Sequence, residues 1–137
     1  MTRKEAKREL KPIKDMERDI RSLELEIERL MTVATKMTPN YDGDRVSGTP
    51  RNKIEEATIK IEEYRGKLSM MLMNHLDYKN RCLNKVEKIR PKSLQTILIH
   101  YYFQDKTMEQ TAELIGKSPR WTHTMFDEAL DKYSEIF

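Results

Sequence analysis

The side chains from Lys117 to Thr124 have types and spacing that suit one chemistry, the binding of nucleic acid. Arg120 can donate two parallel hydrogen bonds to guanine, and Thr124 can hydrogen-bond a base or contact a thymine methyl group. His123 can donate to a base or a phosphate, while Lys117 and the Ser118 hydroxyl suit a phosphate. These groups can act together only if they lie at the start of one exposed helix.

The last third of the chain contains the start and stop signals of such a helix. Thr107 and Gln110 have the spacing of a capping box, and Gly116 supplies a left-handed stop to the short helix that they begin. Ser118 as N-cap and Pro119 at the first position then begin a longer helix. A short helix, a turn and a longer helix predict a helix-turn-helix, whose second helix enters the major groove of DNA.

Trp121 allows two interpretations at the start of this helix. Its ring can stack on a sugar or a thymine methyl group, or it can pack against Met125 one turn later. Lys106 is placed to reach the DNA backbone on the other flank of the motif. The full set of predicted DNA contacts is Lys85, Lys88, Lys92, Lys106, Lys117, Ser118, Arg120, Trp121, His123 and Thr124.

Charge is distributed unevenly along the chain, although the whole sequence has a net charge of only +3. Residues 1–14 have a net charge of +4 and residues 79–92 have +5, so both segments are candidates for phosphate contacts. The alternative for these segments is an ordinary solvated helix face. Residues 93–137 have four basic against seven acidic groups, a net charge of −3, which opposes DNA binding by the predicted motif.

Apolar residues recur at alternating spacings of three and four in two long segments, which is the pattern of a coiled-coil seam. The first seam comprises Ile13, Met16, Ile20, Leu23, Ile27, Leu30, Ala34 and Met37. The second comprises Ile54, Ala57, Ile61, Tyr64, Leu68, Met71, His75, Tyr78 and Cys82. These seams predict helices over about residues 3–38 and 53–89, joined by a mobile loop over residues 39–52 that contains two Pro and two Gly.

The charges beside the two seams differ in sign, acidic along the first helix and basic along the second. Because flanking charges select the partner helix, we expect the two helices to pack against each other rather than each against its own copy. An antiparallel hairpin, or its domain-swapped equivalent in a dimer, then brings Glu24 and Glu26 near Arg65 and Lys67.

The second helix has more apolar residues than one seam requires. The excess predicts a second buried face, packed against another subunit or against the C-terminal unit. The residues assigned to oligomerisation are Met70, Met73, Leu76 and Leu83. The sequence as a whole therefore predicts an all-α protein, with a helical hairpin over residues 1–90 and a three-helix helix-turn-helix domain over residues 91–137.

At motif level, residues 98–133 resemble region 4 of bacterial sigma factors. The resemblance consists of an apolar helix, a short link, a characteristic turn and an Ala-Leu pair at positions 129 and 130. The residues that match the turn are Ala112, Ile115, Gly116 and Ser118.

From about residue 10 to residue 137, the chain more closely resembles the ArpU/RinA-type phage transcriptional regulators. The added match is a hinge with the pattern T-x-x-T-P-x-Y-x-G, formed by Thr35, Thr38, Pro39, Tyr41 and Gly43. This resemblance implies a phage- or prophage-encoded activator of late genes in the bacterial cytoplasm. Double-stranded DNA, a second copy of the chain in a dimer or tetramer, and RNA polymerase are the expected partners.

Other classes of protein are disfavoured by the residues present. His75, His100, His123 and the single Cys82 do not have the spacing of metal ligands, and neither a catalytic triad nor a glycine-rich phosphate loop is found. We therefore expect no enzyme, no metal and no cofactor. One cysteine allows no internal disulfide, and no apolar run approaches the length of a membrane span, so a cytoplasmic location is expected.

Two alternatives to a DNA-reading regulator remain open. The first is a sigma-like module that docks on RNA polymerase with little DNA affinity of its own. The second is a phage small terminase subunit, which also combines a helix-turn-helix with helical oligomerisation.

Overall fold

The computed structural model describes residues 1–36 and 50–136, and every regular element within them is helical. Two long helices, α1 (Arg3–Lys36) and α2 (Pro50–Val86), pack against each other as an antiparallel hairpin. Helices α3 (Lys92–Leu98), α4 (Met108–Ile115) and α5 (Pro119–Ser134) follow, with a π-helical segment at Ile99–Phe103. The predicted all-α fold is confirmed.

The bounds of α2 differ from the predicted ones at both ends. The helix begins at Pro50, where proline is accommodated because the first-turn N–H groups have no partner within the helix. It ends at Val86, after which the Ile89 N–H bonds to the Val86 carbonyl at 3.0 Å in a tighter turn. Residues 39–49 of the predicted loop, and most of the predicted hinge, lie outside the described residues.

The chain divides into two compact units, Met1–Arg18 with Asn74–Phe137, and Asp19–Met73. We call them the terminal unit and the central unit. The sequence instead placed the division between residues 90 and 91. The difference arises because Ala6 and Leu10, which precede the predicted seam, are fully buried in the same core as the C-terminal helices.

The core of the terminal unit joins both ends of the chain. Apolar side chains from α1, α2 and all the C-terminal elements pack together in this core. Its fully buried members include Leu10, Ile13, Val86, Leu94, Ile97, Leu98, Ala129, Leu130 and Tyr133. The helix-turn-helix therefore shares one core with the N-terminus of the chain.

The core of the central unit is smaller and follows the predicted seam, with Ile27 and Leu30 of α1 buried against Ala57 and Ile61 of α2. Glu26 lies near Lys67 as predicted, since both residues line one surface groove of the central unit. Its carboxylate also lies 2.6 Å from the guanidinium of Arg29, one turn further along the same helix.

Opposite charges do pair across the hairpin in the terminal unit. The carboxylate of Glu17 lies 2.5 Å from the Lys79 ammonium and 3.3 Å from Nε2 of the buried His75. Both Glu17 and Lys79 flank the predicted seams. In this unit an acidic residue beside the first seam therefore pairs with a basic residue beside the second, as the sequence predicts.

Glu9 is the centre of a polar network within the terminal unit. Its Oε1 accepts hydrogen bonds from the Lys85 ammonium at 2.9 Å and from the Tyr133 hydroxyl at 2.7 Å. The Tyr78 hydroxyl donates to the Glu9 backbone carbonyl. Because Lys85 and Tyr78 belong to α2 and Tyr133 to α5, one residue of α1 connects three helices.

The network changes the acidity of its members. Burial acts to raise the pKa of Glu9, but the hydrogen bonds from Lys85 and Tyr133 outweigh it, so the pKa lies below its ordinary value of 4.5. Burial and then the bond to Glu9 raise the pKa of Tyr133, which keeps its hydroxyl protonated as a donor.

Glu9 should make the stability of the protein dependent on acid. A carboxyl whose pKa is lower in the folded state stabilises the fold fully above its unfolded pKa, near 4.5, and this contribution is lost as the pH falls through the folded pKa. Glu9→Gln should therefore reduce the free energy of unfolding at pH 7 and weaken its decline between about pH 5 and pH 3. Urea denaturation at a series of pH values measures both effects. Glu56→Gln, at an exposed site on α2, is the control, and an equal acid dependence in wild type and Glu9→Gln would contradict the role of Glu9.

Candidate nucleic-acid interface

Helix α4 begins and ends as the sequence predicts. The Thr107 hydroxyl accepts from the Gln110 N–H at 3.0 Å, and the Gln110 side chain accepts from the Thr107 N–H at 2.9 Å, which completes the capping box. Gly116 ends the helix with φ 69° and ψ 34°, and the Lys117 N–H returns to the Ala112 carbonyl at 3.0 Å. These bonds fix the turn that leads into α5.

Helix α5 starts on the predicted cap. The Ser118 hydroxyl oxygen accepts from the Trp121 N–H at 3.1 Å, and Pro119 occupies the first helical position. The hydroxyl of the fully buried Thr122 donates to the Ser118 carbonyl at 2.8 Å, so burying it leaves no unpaired donor. The start of α5 is therefore held by bonds that depend only on neighbouring residues.

The buried side of α5 determines which of its residues face outward. Thr122, Phe126 and Ala129 pack into the core at helical spacing. Arg120, Trp121, His123 and Thr124 consequently lie on the solvent side of the first two turns, where all four are exposed. The structure thus brings together the residues that the sequence predicted for base recognition.

Trp121 contacts its neighbour in the turn. The Lys117 ammonium lies 5.3 Å from the centre of the indole ring, within the range of a cation–π contact. Met125, the alternative packing partner, contacts the main core of the terminal unit. Trp121 remains 36% exposed, so one part of its ring is accessible to a ligand.

The other lysines of the predicted set differ in their surroundings. Lys88 and Lys92 are exposed. Lys106 is partly buried, and its carbonyl accepts from the Lys14 ammonium at 2.8 Å. Lys85 is bonded to Glu9 and lies 4.7 Å from the centre of the Tyr133 ring, so its ammonium is paired inside the unit instead of being presented to a phosphate.

The acidic end of α5 has a partner that the sequence did not reveal. Arg3 donates two hydrogen bonds of 2.8 Å to the carboxylate of Asp131 and lies 3.7 Å from Asp127. The bonds from Arg3 lower the pKa of Asp131. Since these residues are more than 120 positions apart, no local sequence signal could have paired them.

The packing of the N-terminal residues against α5 changes the net charge around the helix-turn-helix. The segment 93–137 is net −3 by itself, but the terminal unit also contains residues 1–18 and 74–92. The whole unit has 17 basic against 13 acidic residues, a net charge of +4. The negative charge that opposed DNA binding in the sequence analysis therefore belongs to residues 93–137 alone and not to the folded unit that contains them.

The residues predicted for oligomerisation fall into two groups on α2. Met70, Met73 and Leu76 are exposed, with between 53% and 72% of their surface accessible. Leu83 is partly buried and packs against the core of the terminal unit. Leu83 therefore packs against the C-terminal unit, which was the alternative to packing against another subunit. The other three side chains remain accessible.

Comparisons of this chain with protein-family models, curated proteins and solved structures find no match. Within the described residues, no group of three or more His, Cys, Asp or Glu side chains could hold a metal ion. The same part of the chain has no helix long and apolar enough to cross a membrane.

Two glycines provide a matched test of the turn. Gly116→Ala places a side chain in the left-handed region and should lower the free energy of unfolding by about 1–2 kcal/mol. Gly66 lies inside α2 with open space around it, so Gly66→Ala should raise that free energy by roughly 0.5–1 kcal/mol. Urea denaturation at neutral pH compares the two variants. A neutral or stabilising Gly116→Ala would show that the turn does not hold this conformation in solution.

Proposed function

We propose that this protein is a sequence-specific, DNA-binding transcriptional regulator that inserts α5 into the major groove. The observation that carries the proposal is the register of α5, whose buried Thr122 and Phe126 turn Arg120, His123 and Thr124 outward at the start of the helix. In a helix-turn-helix this is the part of the second helix that contacts base edges.

The chemistry of these side chains supports base recognition. The side chains of Arg120 and His123 form no hydrogen bond or ion pair with another described residue, so their donors are available to a ligand. Arg120 matches the two acceptors of guanine in the major groove. Thr124 is exposed and donates to the Arg120 carbonyl at 3.2 Å, and a threonine methyl group suits contact with thymine.

Phosphate contacts would fix the orientation of the protein on DNA. The Ser118 hydroxyl oxygen accepts the Trp121 N–H, which leaves its hydrogen available to donate to a phosphate oxygen. Lys117 lies beside it, and the exposed Lys88 and Lys92 offer further ammonium groups. The net charge of +4 on the terminal unit favours this approach to a polyanion.

The biological setting of the proposal rests on the sequence resemblance. Similarity to ArpU/RinA-type regulators and to sigma region 4 supports activation of phage or prophage late genes in a bacterial cytoplasm, with RNA polymerase as a protein partner. The alternative, a module that docks on polymerase without reading DNA, predicts binding to polymerase with no selected DNA site.

Substitution of Arg120 tests base recognition directly. Once a site has been selected from fragments of the source genome, Arg120→Ala should lose about 1–3 kcal/mol of discrimination at one base position. Lys88→Ala is the matched control on an exposed basic residue, and it should weaken specific and random DNA equally and flatten the salt dependence. Fluorescence anisotropy at two salt concentrations measures both. Equal effects of the two changes on specific and random DNA would refute the assignment of α5.

We further propose that the exposed apolar side chains of α2 support a homodimer or tetramer. Met73→Lys should reduce the oligomer mass measured by light scattering, because it replaces an exposed apolar side chain by a charge next to the exposed Met70. Lys67→Met changes an exposed position on the same helix without removing apolar surface. This control variant should keep the wild-type oligomer mass. A wild-type monomer would contradict this proposal, and a closed ring of eight or more subunits would favour the terminase alternative.

A further inference from the structure

A small cavity lies beside the start of α5 and includes residues that the sequence did not connect with DNA. It has a volume of about 170 Å³ and is lined by Ser93 and Thr96 of α3, Ile115 at the end of α4, and Lys117 and Trp121. The three elements meet here because α3 and α4 both pack against α5. The cavity therefore belongs to the helix-turn-helix itself.

The lining combines hydrogen-bond donors with apolar surface. The Ser93 hydroxyl forms no hydrogen bond with another described residue, and the Lys117 ammonium keeps its donors while it lies against the Trp121 ring. The Thr96 hydroxyl donates to the Lys92 carbonyl at 3.2 Å. The methyl group of Thr96, the Ile115 side chain and the Trp121 ring supply the apolar part.

None of the five lining residues is acidic, which is notable in a segment with a net charge of −3. A hydroxyl and an ammonium with no carboxylate beside them favour an anion. The apolar groups next to them favour a ring attached to that anion. A sugar joined to a phosphate has both features.

We propose that this cavity binds one sugar-phosphate unit of the DNA backbone, next to the bases contacted by α5. Ser93 and Lys117 donate to the phosphate, and Trp121 packs against the deoxyribose. The inference rests on the proposed function, since Lys117 and Trp121 flank Ser118 and Arg120 at the start of the recognition helix. It adds α3 to the DNA interface and gives the exposed Trp121 a defined partner.

The position of the cavity favours a continuous strand over a free nucleotide. In a DNA strand, each base is one sugar away from a phosphate. If the bases contact Arg120 and Thr124, a phosphate must therefore lie close to the start of α5. Contacts of this kind fix the register of the protein on the duplex without reading sequence.

A charge introduced into the cavity tests the inference. Ser93→Asp places a carboxylate where the phosphate would bind and should weaken binding to the selected site by about tenfold or more, through repulsion and the loss of a donor. Ser69→Asp, at an exposed serine of α2, adds the same charge outside the helix-turn-helix and should leave affinity unchanged in comparison. Trp121→Leu removes the sugar contact without a new charge and should also weaken binding. Thermal melting confirms that each variant is folded before its affinity is compared.

Neutral phosphates in the DNA locate the contact. Replacing single phosphates of the selected site by methylphosphonates should identify one whose neutralisation weakens wild-type binding but has a much smaller effect on Lys117→Ala. Additive losses at every phosphate, together with unchanged affinity in folded Ser93→Asp and Trp121→Leu, would overturn the inference.

The outcomes also separate this inference from the proposed function. If wild type binds a selected site and Arg120→Ala weakens it while the cavity variants do not, only the backbone site is wrong. If wild type selects no DNA, both fail. Thymidine 5′-monophosphate is the free-ligand probe in NMR titrations, and binding that Ser93→Asp abolishes without affecting DNA affinity would assign the cavity to a free nucleotide and overturn the backbone site.

Discussion

The terminal unit depends on the satisfaction of one partly buried carboxylate. Removing Glu9 from water costs free energy unless its oxygens are hydrogen-bonded, and Lys85 and Tyr133 provide those bonds to a single oxygen. The donors come from α2 and α5, so the carboxylate is satisfied only when both helices hold their places against α1. Apolar packing around it is not directional, whereas these bonds are, and they therefore fix the register of the three helices.

That register reaches the start of α5 through the helix itself. Tyr133 and Thr122 are both fully buried, eleven residues apart and close to three helical turns. If Tyr133 is held by Glu9, the same face of α5 must be buried at Thr122, and Arg120 and His123 must face outward. A base-reading surface needs this rigidity, because hydrogen bonds to base edges are lost when side chains shift by a fraction of an ångström.

The local features of the fold could be predicted from the sequence, and the long-range ones could not. The capping box at Thr107, the left-handed Gly116 and the cap at Ser118 each depend on residues within four positions, so sequence spacing identifies them. The seam through Ile13, Ile20 and Ile27 is periodic and was found in the same way. By contrast, the partner of Lys85 lies 76 residues away, and an exposed lysine and a core lysine have the same local pattern. The contribution of α3 to the cavity was missed for this reason as well.

The lysines of the terminal unit therefore divide by their partners rather than by their positions in the sequence. Lys85 faces a carboxylate and an aromatic ring inside the unit, where its hydrogen bond lowers the pKa of Glu9. Lys117 lies 5.3 Å from the centre of the Trp121 ring, forms no ion pair with a described residue, and lines a cavity with no acidic residue in its lining. An ammonium beside an exposed indole and a hydroxyl is suited to an external anion. In the proposed function, this difference separates the lysine that builds the DNA-binding unit from the one that contacts DNA.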